Sequence, residues 1–325
     1  MLVRTRGDDI WDAGVVSCSP RRHVRDTARK TRIVRARRGL EMCYIEKRPL
    51  LVVDGDLFTH RAYHALPKTV RAVAGRPAGA IVGFVNTLLR LYEAETPRAV
   101  VVGWDTLDKP TYRHIAYPAY QSGRVFDPEL IEQLEVLPGF VQACGFVSVG
   151  AAGFEADDFL AASVAQEEAR GGRALVASGD RDMFQLASAS TTILQPQRGG
   201  EMARIGPAEV RERYGVEPTQ VPDFIALRGD PSDKLPGARG VGAHTAASLL
   251  RKHGTLDALL AAGRFSAQAE DLRLFKRIAT MNAAAPLPPI TDQSPTWPRA
   301  AAIAREWELG RLAGRLDGMA RQQRA

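Results

Sequence analysis

The chain has 325 residues, 45% of them hydrophobic, and this length predicts about two domains with an apolar core in each. No apolar run reaches the ~20 residues that a membrane-spanning helix needs, and no secretory signal is recognisable, so we expect no membrane partner. The formal net charge is +7, and the three widely spaced cysteines fit neither a disulfide framework nor a zinc site, which predicts a reducing cytoplasm.

Residues 1–48 are basic and lack steady periodicity, so we expect a disordered extension. An upstream start codon, with Met42 as the true beginning, would also explain them, as would a nucleic-acid-binding arm. Residues 1–41 hold 11 Lys and Arg against 5 Asp and Glu, which leaves 33 against 32 for the rest. If cations neutralise nine of those 32 acids, residues 42–325 have a net charge of +10. A positive surplus of this size predicts a polyanionic partner.

Residues 49–205 alternate short apolar runs with helical patterns, which predicts an α/β domain with a mostly parallel sheet and flanking helices. Three of these runs are apolar on both faces, as buried parallel strands are, and each leads into an aspartate: Asp54, Asp105 or Asp180. Ligands of open α/β sheets gather at the carboxyl ends of the strands, so these side chains are expected to share one crevice. Two carboxylates 4 Å apart repel by about 4 kcal/mol at an effective dielectric constant near 20, which predicts bound cations.

Three acidic motifs extend this group: one at the start of a predicted helix near residue 155, one just past a strand near residue 180, and one in a turn near residue 230. Ordinary helix capping or an Asx-type turn explains each motif taken alone. Their occurrence together, in one chain, argues against that explanation. The candidate metal ligands are Asp54, Asp105, Glu155, Asp157, Asp158, Asp180, Asp182, Asp230 and Asp233.

Residues 206–285 have a helical pattern broken by Gly- and Pro-rich turns, and residues 286–325 are predicted to form a linker and a C-terminal helix. Gly237, Gly240 and Gly242 permit a tight turn whose amides, with the start of the next helix, can hold a phosphate. A glycine C-cap between two packed helices explains the same pattern. A Rossmann-type phosphate site is disfavoured because no strand precedes the glycines.

Taken together, these motifs resemble the 5′ nuclease family, which comprises flap endonucleases and the 5′-3′ exonuclease domain of bacterial DNA polymerase I. The resemblance covers about residues 49–285 and includes all nine acids in order. It implies a PIN-like 5′ nuclease core with a helical arch near residues 106–135, followed by a helix-three-turn-helix that grips duplex DNA and a K⁺. No polymerase domain follows these motifs, so we expect a free-standing nuclease.

The resemblance also implies two Mg²⁺ or Mn²⁺ ions. Asp182, Asp230 and Asp233 would hold one of them, the other six acids would surround the second, and Asp180 would lie near both. The residues implied to make catalytic contacts are Arg113, Gln121 and Arg124. The implied DNA contacts are Arg61, Tyr120, Lys234, Gly237, Arg239, Gly240, Gly242, His244 and Thr245.

The chain departs from the family pattern at Gln121, where the family has a lysine that contacts the scissile phosphate. A glutamine donates a hydrogen bond without a charge, and loss of one transition-state donor costs about 10²–10³ in rate. We expect Arg124, one helical turn away on the same face, to supply part of the missing charge. A smaller departure is Ala243-His244, where the family turn carries an acid and a lysine.

The sequence therefore predicts a metal-dependent, structure-specific 5′ nuclease. We expect a monomer that acts on DNA with 5′ flaps, nicks or free 5′ ends during replication and repair, in the cytoplasm of a bacterium and in association with its nucleoid. Hard oxygen ligands and paired divalent ions suit phosphodiester hydrolysis. Two alternatives remain open: a DNA-binding module whose catalysis is impaired by Gln121, and a PIN-like ribonuclease, which would not need the helical DNA grip.

Overall fold

The computed structural model describes residues 48–106, 109–123 and 125–324. The predicted extension therefore lies outside the described residues except at its last position, and so does Arg124. The described part of the chain contains six strands. They are β1 (Leu50–Asp54), β2 (Ala99–Gly103), β3 (Val147–Val149), β4 (Ala174–Ala177), β5 (Thr191–Pro196) and β6 (Met202–Ile205).

These strands form one sheet in the order β3-β2-β1-β4-β5-β6. All neighbours are parallel except β5 and β6, which are antiparallel. The chain fills the sheet in one direction from β1 to β3 and in the other direction from β4 to β6, so the order reverses between β1 and β4. A crevice forms at such a reversal, outside the carboxyl ends of the strands.

Twelve α-helices are present among the described residues, and short 3₁₀ turns connect several of them. The first five are α1 (Gly55–Ala65), α2 (Gly79–Glu95), α3 (Tyr112–Ala116), α4 (Pro128–Ala143) and α5 (Ala156–Ala169). The remaining seven are α6 (Pro207–Tyr214), α7 (Val221–Arg228), α8 (Ala243–His253), α9 (Leu256–Ala261), α10 (Ala269–Ala279), α11 (Trp297–Glu306) and α12 (Gly310–Gln322).

The sheet is buried on both faces, as its uninterrupted apolar strands predict. Along β1, Leu50 and Val52 belong to a core shared with α5 and α7 to α10, whereas Leu51 and Val53 belong to a core shared with α1, α2 and α4. This alternation follows from the two-residue period of a strand. The result is a three-layer α/β core joined to a helical region, which is the predicted fold class.

The C-terminal region differs from the prediction of a linker followed by one helix. Two helices, α11 and α12, pack on the second core, where Trp297 is fully buried and contacts Tyr92 and Phe146 edge to face. Apolar residues at helical spacing in both helices, Leu312 and Leu316 among them, form the buried stripe. Residues 297–322 therefore form part of the folded α/β core.

The predicted arch region contains the short helix α3, a turn over residues 118–123 and the first turns of α4. Gln121 has a left-handed φ of 46° and lies in that turn. We expected Gln121 and Arg124 to lie on one face of a helix. Gln121 lies in a turn, so this expectation is wrong for Gln121. No helix in the described part of the chain is long and apolar enough to cross a membrane.

Candidate metal-dependent active site

A cleft of about 750 Å³ opens at the carboxyl ends of β1, β2 and β4. Acidic side chains from five separate segments converge there, as the strand ends predict. Eight of the nine candidate ligands line it: Asp54, Asp105, Glu155, Asp157, Asp180, Asp182, Asp230 and Asp233.

Asp54 joins the two central strands at the point where the sheet order reverses. Its Oδ1 accepts a hydrogen bond from the amide of Leu57 at 2.9 Å, which caps α1, and its Oδ2 accepts one from Ser178 Oγ at 2.7 Å. Burial raises the pKa of Asp54 to about 7 despite these two bonds, and the charges of Asp105 and Asp180 raise it further. A buried carboxylate of this kind becomes easier to ionise when a cation is close.

Asp105 reaches the cleft from the segment after β2. Its Oδ1 accepts from the amide of Ala156 at 2.7 Å, at the start of α5, and its own amide donates to Asp56 Oδ2 at 2.7 Å. Asp56 also lines the cleft, and burial, with the charge of Asp105, raises its pKa well above the ordinary value. Asp56 was not among the candidate ligands predicted from the sequence. Its position two residues after Asp54, in the first turn of a helix that starts at a strand end, was the available signal.

Glu155 and Asp157 enter the cleft from the first turn of α5. Glu155 accepts hydrogen bonds from Thr111 Oγ1 at 2.9 Å and from the Tyr120 hydroxyl at 3.0 Å, and burial raises its pKa to about 7. The pKa of Asp157 is raised well above the ordinary value by burial, and then by the charges of Asp180 and Asp54. The cleft therefore favours protonated carboxyls unless positive charge enters it.

Asp158 does not line the cleft, contrary to expectation. It is 0% exposed, and its Oδ2 and Oδ1 accept from Arg113 Nη1 at 2.9 Å and Arg113 Nη2 at 2.8 Å, respectively. It also accepts from the amides of Glu155 and Asn282, so both oxygens are used within the protein. Asp158 therefore supports the start of α5 and is removed from the set of candidate metal ligands.

Arg113 also does not line the cleft, so it is not placed to contact a scissile phosphate. Only 3% of it is exposed, and besides Asp158 it donates to Glu155 Oε2 at 3.1 Å and to the Ile278 carbonyl at 2.9 Å. These bonds connect α3, α5 and α10. A guanidinium enclosed in this way holds the cleft wall and does not reach a phosphate in the cleft.

The acids of the cleft form two groups, with Asp180 between them. The first group is Asp54, Asp105, Glu155 and Asp157, and the second is Asp182, Asp230 and Asp233. The second acidic group lies where the segment after β4 meets the turn between α7 and α8. The Asp182 amide donates to Asp180 Oδ1 at 2.9 Å, and Asp230 Oδ2 accepts from Arg228 Nη2 at 3.2 Å. Burial raises the pKa of Asp182 well above its ordinary value, and the charges of Asp180, Asp233 and Asp230 raise it further.

A close backbone approach shapes this turn. Gly229 and Gly237 both have left-handed φ angles, 82° and 72°, and a Cβ on Gly237 would lie 2.4 Å from the Gly229 amide nitrogen. Gly237 is also buried, so its role is packing; the expected phosphate contact at this glycine is not supported.

Gln121 stands between the two acidic groups. Its Nε2 donates to the Tyr120 hydroxyl at 2.8 Å, which itself donates to Glu155, and to Asp233 Oδ1 at 2.9 Å. Beside it, Lys234 Nζ donates to the carbonyl and hydroxyl oxygens of Ser122. The turn at residues 118–123 is therefore fastened to the turn at residues 230–235.

The other predicted DNA contacts fall into three situations. Tyr120 lines the cleft but is only 3% exposed, and Lys234 is exposed at the cleft edge. Arg61 is exposed on α1 but is not part of the cleft lining. Five residues are exposed in the glycine turn and the first turn of α8: Arg239, Gly240, Gly242, His244 and Thr245.

The donor set fits hard divalent cations, because carboxylate oxygens are their preferred protein ligands. Within the described ranges, no three His, Cys, Asp or Glu side chains are arranged so that they could hold one ion among them. Mg²⁺ keeps several waters and commonly takes only one or two carboxylates directly. A wide cleft lined by separated carboxylates is therefore compatible with hydrated ions.

Two family profiles match most of the chain. The 5′-3′ exonuclease N-terminal, resolvase-like domain matches residues 49–215, and the 5′-3′ exonuclease C-terminal SAM fold matches residues 216–299. The chain belongs to the 5′-3′ exonuclease family. This is a family of phosphodiester hydrolases that includes flap endonucleases, and membership confirms the resemblance seen in the sequence.

Proteins similar in sequence to this chain include bacterial DNA polymerases I. The enzyme of Mycobacterium tuberculosis strain H37Rv is 39% identical over 217 residues, which are 66% of this chain and 24% of that protein. The thermostable enzyme of Thermus thermophilus is 36% identical over 249 residues, 73% of this chain and 29% of that protein. The chain thus spans about a quarter of the length of these relatives.

Solved structures share the fold. The bacteriophage T5 5′-exonuclease with bound zinc gives a TM-score of 0.62 at 18% identity, with 84% of this chain and 100% of that chain covered. The catalytic core of Rad2 in complex with DNA gives 0.54 at 14% identity, with 86% and 93% covered. These matches confirm the fold class, a mostly parallel sheet with flanking helices and a helical C-terminal region.

Proposed function

We propose that this family member is a divalent-metal-dependent, structure-specific nuclease that hydrolyses DNA phosphodiester bonds at 5′ flaps, nicks or free 5′ ends. The observation that carries the proposal is the convergence of eight predicted carboxylates on one cleft at the reversal point of the sheet. Mutually repelling carboxylates are costly to keep together without cations. Family membership supplies the reaction class, and the T5 and Rad2 complexes with DNA support the choice of substrate.

Two Mg²⁺ or Mn²⁺ ions are the proposed cofactors. When bound, a pair of such ions supplies an activated water on one side of a phosphodiester and charge stabilisation for the leaving oxygen on the other. Asp182, Asp230 and Asp233 would hold one hydrated ion, in part through its waters. Asp54, Asp105, Glu155 and Asp157 would surround the other, and Asp180 would serve both.

The chain's own polar groups position the substrate in this scheme. Gln121 Nε2 lies between the two acidic groups and would donate to a phosphate oxygen after giving up Asp233. The exposed glycine turn and the first turn of α8, with Arg239, His244 and Thr245, would hold the duplex backbone and a K⁺. We also propose that the protein acts as a monomer on nucleoid DNA in the bacterial cytoplasm; its relatives in Mycobacterium tuberculosis and Thermus thermophilus support a bacterial setting.

The test is a cleavage assay with four substrates: 5′-flapped duplex, nicked duplex, single-stranded DNA and single-stranded RNA. Each is incubated with purified protein in Mg²⁺, in Mn²⁺ and in chelator. The proposal expects cleavage of the flapped or nicked DNA with metal and none in chelator. Tight DNA binding without cleavage would identify a binding module instead, and preference for RNA would identify a ribonuclease.

A further inference from the structure

A second pocket, of about 400 Å³, lies outside the carboxylate cleft and is strongly basic. We call it the arginine pocket. Its basic side chains are Arg181, Arg213, Arg228, Arg251 and His244, and none of its lining residues is acidic. Apart from His244, none of these basic residues was predicted from the sequence to contact metal or DNA.

The four arginines come from four separate parts of the chain. Arg181 follows β4, Arg213 lies near the end of α6, Arg228 ends α7 and Arg251 lies in α8. Guanidinium groups gathered in a concave site repel one another, as carboxylates do. Such a cluster is costly unless an anion is bound there.

Arg213 and Arg251 are held by neutral acceptors, so their charge stays available to an anion. Arg213 Nη1 donates to Gln195 Oε1 at 2.6 Å, and Arg251 Nη1 donates to the Gly215 carbonyl at 3.1 Å. Arg228 is the exception, because it also pairs with Asp230 at 3.2 Å. Fixed guanidinium groups that keep spare N–H donors are typical of sites that recognise phosphate.

Aromatic rings and the start of α8 complete the pocket, and the rings hold one of its guanidinium groups in place. Tyr214 stacks on Phe224 with ring centroids 4.8 Å apart, which forms an aromatic wall, and Arg228 lies over the Phe224 ring at 5.3 Å. Ala243 and His244, the first residues of α8, line the opening, and the Gly242 N-cap makes no side-chain capping bond. Free first-turn amides add further donors for an anion.

We propose that the arginine pocket binds a backbone phosphate of the duplex and thereby sets the position of the duplex relative to the cleft. Arg181 lies between Asp180 and Asp182, which line the cleft, so one short turn presents carboxylates to one site and a guanidinium to the other. A phosphate bound by Arg181 would therefore have a defined position relative to Asp180 and Asp182 in the cleft. This inference rests on the proposed function, because it takes DNA as the ligand. A free phosphate ion would present the same chemistry.

The test compares the double variant Arg213→Gln/Arg251→Gln with wild type. The matched control is Arg211→Gln/Arg305→Gln, which loses the same charge from two exposed ion pairs that are not part of the pocket lining, Arg211 with Glu217 and Arg305 with Asp317. Duplex affinity is measured in chelator, where no cleavage is expected, from 50 to 200 mM salt. Melting temperatures of all three proteins, with and without 10 mM inorganic phosphate, complete the set.

Each backbone phosphate contact contributes about 0.9 to the slope of log affinity against log salt, so wild type should lose about 3.5-fold more affinity than the pocket variant over that fourfold salt range. The control variant should keep the wild-type slope. An unchanged slope in the pocket variant, with its melting temperature intact, would overturn the proposal. Phosphate that stabilises wild type but not the pocket variant, again with unchanged slope, would reassign the pocket to a free anion.

These measurements test the assignment of the arginine pocket and the proposed cleavage activity separately. If wild type binds duplex with the predicted difference in slope but cuts no flapped substrate in Mg²⁺ or Mn²⁺, the proposed activity fails and the pocket stands. If wild type cuts and all three slopes agree, the activity stands and the pocket assignment fails.

Discussion

Gln121 Nε2 donates to Asp233 Oδ1 at 2.9 Å, and this bond fastens the turn of the arch region to the second acidic group. A neutral amide therefore occupies the space between two groups of carboxylates, where the family pattern has a lysine. The contact shows where the side chain of Gln121 lies relative to the carboxylates. It also allows the effect of charge at this position to be measured.

Gln121→Lys should raise the single-turnover cleavage rate on a 5′-flapped duplex, with little change in duplex affinity. The added charge would act mainly on negative charge that develops in the transition state, so it should raise the rate more than the binding. The comparison is made at saturating enzyme in Mg²⁺, with Gln121→Met as a control of similar size. An equal rate in Gln121→Lys and wild type would mean that charge at this position is not limiting.

Asp180→Asn should abolish nearly all cleavage while leaving the fold intact. Asp180 lies between the two acidic groups, and its charge raises the pKa of Asp54, Asp157 and Asp182. Removing it should therefore leave the melting temperature in chelator unchanged or raised. It should also reduce the increase in melting temperature that Mg²⁺ gives by mass action. A variant that is fully active would contradict the assignment of Asp180 to both ions.

Asp157 and Asp158 are adjacent but should respond oppositely to mutation. Asp158→Ala leaves Arg113 buried without its main partner, and breaking a buried pair costs about 3–5 kcal/mol of unfolding free energy. Asp157→Ala removes one of several repelling carboxylates, so the metal-free protein should be equally or more stable. Denaturant unfolding in chelator measures both. Equal destabilisation by the two variants would contradict the separation of these residues.

The stability of the metal-free protein should fall as pH rises from about 4 to about 7. The pKa values of Asp54 and Glu155 are about 7 in the folded protein, above the ordinary values of 3.8 and 4.5. Over that interval the folded state retains protons that the unfolded state has lost, so raising the pH favours unfolding. The contribution is complete below about pH 4 and is lost above about pH 7.

The check is a series of unfolding curves in chelator between pH 4 and pH 8. Asp54→Asn, which cannot titrate, should give a shallower decline than wild type over the same range. Mg²⁺ should restore stability most strongly near pH 8, because the ligands must be deprotonated to bind it. A wild-type stability that rises steadily over this interval would contradict the burial of these carboxyls.

The sequence was sufficient for three of the six described strands, β1, β2 and β4, and for the convergence of acids at their ends. Apolar strand patterns ending near Asp54, Asp105 and Asp180 identify the buried strands, and the reversal of strand order brings their ends together. These are local signals combined with a general rule of α/β topology. Asp56 could have been added on the same grounds.

The sequence was not sufficient for the roles of Arg113 and Asp158. Their identities suit a phosphate contact and a metal ligand, and only tertiary packing shows that they bind each other inside the protein. The arginine pocket was missed for a related reason. Arg181 and Arg251 are 70 positions apart, and no local pattern indicates that they meet. The left-handed turn at Gln121 and the packing of Trp297 on the core likewise depend on distant contacts.

The most direct test of metal-dependent cleavage is the single-turnover rate of wild type on a 5′-flapped duplex as a function of free Mg²⁺. Two cooperating ions predict no cleavage in chelator and a rate that rises more steeply than the first power of Mg²⁺ at low concentration. Restoring Mg²⁺ after chelation should restore the full rate. A rate that is unchanged in chelator would contradict the central claim that the acidic cleft acts through divalent cations.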